Sequence, residues 1–348
     1  MYKLISKALF QLSPENAHGF SLSMLHGFRS MPGFSAMMRA YTRPDSSFAR
    51  TVFGLQFNNP VGIAAGFDKN AEHVGALQDL GFGFVEIGSV TAQPAAGNPK
   101  PRLFRLIDDR AIINRMGLNN LGVEAIAPRL AKLSRQVPIF INVAKSHDSS
   151  LSGDRAVDDY VTTISKIKAY ADVIVLNISC PNSGDGRTFE DPEVLEPLLQ
   201  AVMAEISDTD VPLLVKVSPD LSDDDLDAVI DSAIAHGVAG FTATNTTVHR
   251  ADLRTTEDKL SEIGAGGLSG YPLHQRALKA VRRIRSKTDL PIVGVGGIMG
   301  PKEANAFMEA GASLVQLYTG FIYGGPTIVQ SICDGLVEAE PGEVYADQ

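Results

Sequence analysis

The chain has 348 residues, which suffices for one large barrel with a small extra element or for two domains. Its 44% hydrophobic content, 32 glycines and 19 prolines are typical of a globular protein with many tight turns. The net charge of −9 argues against nucleic-acid binding.

The charge is unevenly distributed along the chain. Residues 1–50 carry six basic against two acidic side chains, a balance of +4, so the remaining residues carry −13. A basic amino-terminal segment on an acidic body predicts contact with something anionic, such as a lipid surface. The two cysteines, Cys180 and Cys333, imply no disulfide framework and favour a reducing compartment. We expect neither a membrane-spanning helix nor a signal peptide, because the sequence has no run of 18 apolar residues and no apolar core with a small-residue cleavage site.

Two short amphipathic helices are predicted in the first 45 residues. The first, over 2–12, places Leu4, Ile5, Ala8, Leu9 and Leu12 on one stripe. Ser13 and Pro14 then supply an N-cap and a first helical residue for the second helix. These helices either pack on the main domain or form a hydrophobic access patch on a membrane interface. We treat 1–45 as an N-terminal helical extension.

From residue 46 the pattern changes to strands alternating with helices. A short hairpin is predicted over 51–57, and a small antiparallel insertion over 102–114. Eight apolar runs of strand length follow the hairpin, with helical segments between them: Val61–Ala65, Phe84–Val90, Ile139–Ala144, Val173–Ile178, Leu213–Val217, Gly240–Thr244, Ile292–Val295 and Leu314–Leu317. This number and spacing predict an α/β fold, a (β/α)8 TIM barrel over 46–340 with the N-terminal two-helix extension before it.

Polar residues stand where several of these strands end, which is where barrels of this kind place their chemistry. The segment Asn177-Ile178-Ser179-Cys180-Pro181-Asn182 puts two amides, a hydroxyl and a thiol directly after an apolar strand. Amides can donate to and accept from a planar ligand, and a thiol can move a proton. The alternative is an ordinary loop, since Asn, Ser and Pro are turn residues.

A lysine and a glycine pair point to an anionic cofactor. Lys216 lies inside an apolar strand, where a charge is costly unless it faces an anion or another partner. A structural salt bridge is the alternative. Gly296-Gly297 follow the seventh strand, and the loops after strands seven and eight are the usual phosphate site in barrels.

Other cofactor classes find no support in the sequence. The seven histidines show no spacing that would set two metal ligands on one helix face. No glycine-rich dinucleotide fingerprint follows the first strand. A phosphate site, a buried lysine, several amides and a thiol suit a flavin mononucleotide (FMN) with a small planar polar substrate stacked on it.

The chain resembles the dihydroorotate dehydrogenase family over nearly its whole length. The N-terminal extension, with Pro14-Glu15-Asn16-Ala17-His18, is similar to the membrane-associated, quinone-using class 2 branch. The segments that carry the resemblance are Ala64–Lys69, Lys100–Arg105, Asn114–Asn120, Asn177–Asn182, Thr244–Thr247, Gly266–Gly270 and Gly294–Gly297.

The resemblance implies three sets of contacts. The FMN contacts, for one flavin per chain, are Ala65, Gly66, Phe67, Asp68, Lys69, Ser89, Asn142, Asn177, Lys216, Thr244, Gly270, Gly297, Tyr318 and Thr319. The contacts to dihydroorotate or orotate are Lys69, Asn114, Arg115, Met116, Gly117, Leu118, Asn177, Asn182, Asn245 and Thr246. His18 and Arg105 match positions that line the quinone tunnel, and no metal is implied.

The resemblance also implies a reaction of pyrimidine (UMP) biosynthesis. Hydride leaves C6 of (S)-dihydroorotate for flavin N5 while a base takes a proton from C5, and the reduced flavin then reduces a membrane quinone. Cys180 occupies the position of the base. The quinone-using branch usually has serine there, whereas the soluble class 1 branch has cysteine. We expect Cys180 to act as the base, and a monomer bound peripherally, through the N-terminal helices, to lipid at the cytoplasmic face of the cell membrane.

Two alternatives stay open at this point. The first is a class 1-type enzyme that uses fumarate or NAD, which the cysteine favours and the extension opposes. The second is a flavin- or pyrimidine-binding barrel without catalysis, which the combination of Lys69, Cys180 and Lys216 opposes.

Overall fold

A closed barrel of eight parallel strands dominates the fold, and helices follow most of its strands. The computed structural model describes Tyr2, Ser6 and residues 9–42, 47–179 and 189–337. In spatial order around the barrel the strands are β3 (Val61–Ile63), β4 (Phe84–Val90), β7 (Ile139–Val143), β8 (Val173–Asn177), β9 (Leu213–Val217), β10 (Gly240–Ala243), β12 (Ile292–Val295) and β13 (Leu314–Leu317). The (β/α)8 prediction is confirmed, and each strand lies within a predicted apolar run.

Most of the helices pack against the outside of the barrel. They are α3 (Val74–Asp79), α4 (Val123–Leu130), α5 (Asp154–Ile167), α6 (Pro192–Glu205), α7 (Asp223–Ala235), α9 (His274–Lys287), α10 (Pro301–Glu309), α11 (Thr319–Gly324) and α12 (Ile328–Asp334). Helix α8 (Glu257–Ile263) packs instead on an antiparallel sheet, where Ile263 contacts an apolar cluster that includes Ile113 and Leu268. Most barrel strands are buried on both faces, which explains their apolar character.

A hairpin closes the amino-terminal end of the barrel. Strands β1 (Arg50–Val52) and β2 (Leu55–Phe57) meet at Phe53 and Gly54, which both have positive φ, as a type I′ turn requires. The Phe57 ring packs edge-on against Phe84 and Phe140, at centroid distances of 5.6 and 6.1 Å. This aromatic plug leaves the carboxyl ends of the strands as the open end.

A three-stranded antiparallel sheet lies beside that open end. The predicted insertion forms β5 (Leu103–Leu106) and β6 (Ala111–Asn114), and β11 (Gly267–Gly270) pairs with β6 on its other side. The insertion is confirmed, but β11 was not predicted. Its sequence, Gly-Leu-Ser-Gly, has low strand propensity, so only the partner strand reveals it.

The extension contains helices α1 (Pro14–Arg29) and α2 (Phe34–Tyr41). The predicted N-cap is confirmed, because the Ser13 side chain accepts from the Asn16 N–H at 3.4 Å. The helix predicted over 2–12 falls largely on residues outside the described ranges and stays a prediction, whereas α2 was not predicted. Within the described ranges, no helix is long and apolar enough to cross a membrane.

One buried carboxylate fastens both helices of the extension to the barrel. Asp79, at the end of α3, is only 4% exposed and accepts from Arg29 Nε at 2.9 Å and Arg39 Nη1 at 2.6 Å. Its backbone carbonyl accepts from the Thr42 hydroxyl at 3.0 Å. A second contact joins Arg102 Nη2 to Glu15 at 2.9 Å. Because one acid pairs with both arginines, its loss would loosen α1 and α2 together.

We therefore expect Asp79→Asn to increase the rate of limited proteolysis within residues 10–50 about tenfold, while the barrel still resists cleavage. The reason is that a loss of about 1.4 kcal/mol of local stability raises the population of the locally opened state about tenfold. The matched control is Glu72→Gln, which breaks an exposed ion pair to Arg129 on the barrel. Equal cleavage of wild type and Asp79→Asn would contradict this anchoring role.

Candidate functional site

A cavity of about 460 Å³ opens at the carboxyl ends of the barrel strands, which is the size range of small-molecule sites. It brings together residues far apart in sequence. Of the residues predicted from the resemblance, those that line it are Ala65, Gly66, Lys69, Ser89, Asn114, Arg115, Met116, Gly117, Leu118, Asn177, Lys216, Thr244, Asn245, Thr246, Gly270, Gly297, Tyr318 and Thr319.

Lys69 supplies a positive group to this cavity. Its Nζ donates to the Gly66 carbonyl at 2.7 Å. Burial, with a smaller contribution from the positive charge of Arg102, lowers the pKa of Lys69 to about 8. The ammonium form therefore predominates below pH 8, and a bound carboxylate would stabilise it further.

A chain of amides and hydroxyls runs along the cavity wall. Asn245 Nδ2 donates to Ser179 Oγ at 2.8 Å and lies 3.4 Å from Asn177 Oδ1. Asn177 Nδ2 donates in turn to Ser89 Oγ at 3.3 Å. The Asn245 Oδ1 accepts from the Thr246 N–H at 2.8 Å, which fixes the orientation of this amide. Asn177 and Asn245 therefore present a preoriented polar edge to a planar ligand.

Bare backbone forms another part of the wall. Gly297 has φ +68°, and a Cβ there would lie 2.8 Å from the Gly270 carbonyl oxygen. A Cβ on Gly320 would lie 2.0 Å from the Ile298 carbonyl oxygen. Glycine is therefore required at both positions, because neighbouring segments of the protein pack tightly there. Gly296, Gly297 and Gly320 line the cavity with backbone alone, and their place after β12 and β13 fits a phosphate-bearing cofactor.

Three predicted cofactor contacts lie one layer behind the cavity lining. The Asp68 carboxylate accepts from the backbone N–H groups of Glu72 and His73, at 3.0 and 2.7 Å, and so shapes the loop after β3. The Phe67 ring packs against His18 and Phe321, at centroid distances of 4.8 and 5.2 Å. Asn142 Oδ1 accepts from Ser89 Oγ at 2.5 Å, so it positions a lining residue.

The two predicted tunnel residues lie where the extension meets the barrel. His18 Nε2 is 3.2 Å from the Phe67 carbonyl oxygen, and burial lowers the pKa of His18 to about 4, so this ring is neutral near pH 7. Arg105 donates to the Leu12 carbonyl and stacks on the Phe10 ring at 4.6 Å. Neither side chain lines the cavity.

Cys180 and Asn182 lie outside the described residues, so their roles stay predictions. Ser179, the residue before them, is buried and already belongs to the amide chain. No group of metal-ligating side chains occurs among the residues that the structure describes.

Sequence reasoning missed two polar residues of the barrel interior. Glu86 on β4 is fully buried, and Gln316 on β13 lines the cavity. Both stand in otherwise apolar strands, the same signal that identified Lys216. Applying that criterion to every strand would have found them.

The pKa of Lys69 predicts how ligand binding depends on pH. A carboxylate ligand such as orotate should bind with constant affinity below about pH 7, and about tenfold more weakly per pH unit above 8, because the ammonium group loses its proton there. Orotate dissociation constants between about pH 6.5 and about pH 9.5 measure this dependence.

Lys69→Met should weaken orotate binding and remove the pH dependence, whereas Lys132→Met, at an exposed position after α4, should preserve both. A wild-type affinity that stays constant up to pH 9.5 would show that Lys69 does not bind the carboxylate.

Comparisons with known proteins agree with this geometry. The model of the dihydroorotate dehydrogenase family matches residues 47–339. The chain is 46% identical over 337 residues to dihydroorotate dehydrogenase (quinone) of Thermobifida fusca, covering 94% of this chain and 89% of that protein. It is 44% identical over 339 residues to the protein of the same description from Mycobacterium tuberculosis, covering 97% and 93%.

Solved structures give the same result. The structure of the Eimeria tenella DHODH in complex with ferulenol matches with a TM-score of 0.81 and 33% identity, covering 92% of this chain and 90% of that one. The names of these relatives favour the predicted quinone-using enzyme over the class 1 alternative. The chain belongs to the dihydroorotate dehydrogenase family, in its quinone-dependent class 2 branch.

Proposed function

We propose that this chain oxidises (S)-dihydroorotate to orotate on one bound FMN and passes the electrons to a membrane quinone, as a step of pyrimidine biosynthesis. The observation that carries the proposal is the cavity at the carboxyl ends of the barrel strands. It combines the ammonium group of Lys69, a preoriented amide pair and a wall of glycine backbone. A carboxylated pyrimidine matches the first two features, and the phosphate of FMN matches the third.

Each side chain of the cavity has a defined task in this proposal. Lys69 binds the substrate carboxylate, while Asn177 and Asn245 pair with the carbonyl and N–H groups of the ring. Cys180, as thiolate, removes the proton from C5, and the C5–C6 double bond forms as hydride leaves C6. The bound flavin supplies the hydride acceptor at N5. Lys216 lies in the cavity wall, where its positive charge would stabilise the negative charge that the flavin gains on reduction.

The extension supports a role at a lipid surface. On α1, Phe20, Met24 and Phe28 follow one another at four-residue intervals and are 51, 41 and 41% exposed, so they form one apolar stripe. On α2, Met37 and Tyr41 repeat this spacing, each 58% exposed. Exposed apolar stripes on two adjoining helices fit peripheral binding to a lipid surface, and the net charge of +4 over residues 1–50 favours anionic lipid. We infer a monomer at the cytoplasmic face of the cell membrane, which receives quinone through 1–45.

The acceptor preference tests the proposed function. Anaerobic addition of dihydroorotate should bleach the flavin absorbance of the purified protein. A soluble quinone should then restore the absorbance about a hundredfold faster than fumarate or NAD. Failure of dihydroorotate to bleach the flavin would revive the alternative of a binding barrel without catalysis, and preferential reoxidation by fumarate or NAD would revive the class 1 alternative.

The role of Cys180 has its own test. Cys180→Ala should slow flavin reduction by dihydroorotate about 10²–10⁴-fold, the usual contribution of a positioned base. In the wild type, the rate should rise with pH as the thiol ionises, from a reference pKa of about 8.5, and Cys180→Ser should move this rise to higher pH. The control Cys333→Ala removes a buried thiol at the end of α12 and should leave the rate unchanged. Full flavin reduction by Cys180→Ala would refute the assignment.

Lipid binding tests the role of the apolar stripe. Phe20→Gln should lower the affinity for anionic vesicles about tenfold, because a buried Phe contributes roughly 1.5–3 kcal/mol. Ile234→Gln changes a 37% exposed residue on α7 and should preserve affinity. Vesicle cosedimentation measures both variants, and equal affinities would mean that this face of α1 does not contact lipid.

A further inference from the structure

A buried acid lies beneath the cavity, at a position that the proposed reaction does not use. Glu86, in the middle of β4, has no solvent exposure. Its two carboxylate oxygens accept from different amides, Oε1 from Asn142 Nδ2 at 2.7 Å and Oε2 from Gln316 Nε2 at 2.5 Å. These donors come from β7 and β13, on the two sides of the barrel interior around Glu86. Both contacts are made by amide NH2 groups, which donate to the carboxylate oxygens.

Lys216 is the counter-charge of this acid. Its Nζ lies 3.7 Å from Glu86 Oε1, and its side chain is 8% exposed. In the described part of the chain, no other carboxylate lies within 4 Å of this ammonium group. At this distance the two groups form an ion pair but no hydrogen bond. Because Lys216 lines the cavity, its N–H groups stay available to acceptors there.

The acid also connects to the amide pair that faces the substrate. Asn142 donates to Glu86 and accepts from Ser89, and Ser89 accepts from Asn177, which lies 3.4 Å from Asn245. The Glu86 carboxylate is therefore linked to Asn177 through a series of hydrogen bonds and to Lys216 through the ion pair.

A contribution to the stability of the fold does not by itself account for the buried Glu86–Lys216 pair. A buried ion pair often contributes no more than well-packed apolar residues of the same volume, because both charges lose their hydration. Here the pair lies on the floor of a cavity that takes a redox cofactor under the proposed function. A fixed negative charge beside Lys216 opposes the addition of further negative charge nearby.

We propose that Glu86 is a positioning residue for Lys216, and that the negative charge of Glu86 offsets the ammonium group beside the cofactor and so keeps the reduction potential of the bound flavin low. The inference rests on the proposed function, since it requires a flavin in the cavity. Glu86 acts through Lys216 and through its own charge. A lower potential makes the reduced flavin a stronger donor to an acceptor such as a quinone.

The test is the reduction potential of the bound flavin in the holoenzyme, measured against a reference dye without dihydroorotate. At the ambient potential where wild-type flavin is half reduced, Glu86→Gln should give at least a tenfold excess of reduced over oxidised flavin, a rise of about 30 mV for a two-electron couple. Glu86→Asp keeps the charge and should stay within about threefold of wild type. A Glu86→Gln ratio within about threefold of wild type, or a lower potential, would overturn the proposal.

Two further measurements distinguish an effect of Glu86 on Lys216 from a general effect of charge or of folding. Glu124→Gln removes the same charge at the exposed partner of Lys166, and its potential should match wild type. If Glu86→Gln does not fold, the double variant Glu86→Gln/Lys216→Met should regain a folded protein by circular dichroism, because it no longer buries an unpaired charge. A double variant that also fails to fold would mean that Glu86 serves the fold and not Lys216. Because the dye measurement needs no dihydroorotate, it separates this proposal from the proposed activity.

Discussion

Closure of the parallel barrel is the constraint on which the rest of the structure depends. Because all eight strands run the same way, their carboxyl ends surround one opening, and residues as far apart in sequence as Ala64 and Gly320 share one cavity. The aromatic plug of Phe57, Phe84 and Phe140 fills the other end. The polar residues of the barrel interior, among them Glu86, Asn142 and Lys216, then lie between this aromatic plug and the cavity. Charges there are weakly screened, which gives a single carboxylate a large effect.

The extension adds a second element with a separate physical character. Its helices pack onto the barrel through apolar side chains such as Leu22 and through the polar contacts of Asp79 and Glu15, and they leave an apolar stripe exposed. Phe67 bridges the two parts, since its ring contacts His18 of α1 and its chain neighbour Gly66 lines the cavity. This arrangement fits a division of labour in which the barrel oxidises the substrate and the extension gives a lipid-soluble acceptor access to the flavin.

The barrel and most of the residues that line its cavity could be predicted from the sequence, whereas elements that depend on distant partners could not. Fully apolar runs at regular spacing predict a buried parallel sheet, and the position of Lys216 within such a run identifies a polar interior. Strand β11 escaped prediction because its stability comes from pairing with β6, some 150 residues earlier. Helix α2 has Gly33 as its N-cap residue, which offers no side-chain cap, so no local signal marks the start of the helix. Asp68 lies beside lining residues in sequence, but its direction, toward the backbone of Glu72 and His73, depends on the folded loop.

The division of labour between barrel and extension is the central claim, and the two half-reactions of Asp79→Asn test it most directly. In anaerobic rapid mixing, flavin reduction by dihydroorotate should stay within about twofold of wild type, because the cavity is intact. Reoxidation by a membrane quinone in vesicles should slow about tenfold, because α1 and α2 lose their shared anchor. Slowing of both half-reactions together, or of neither, would contradict the account.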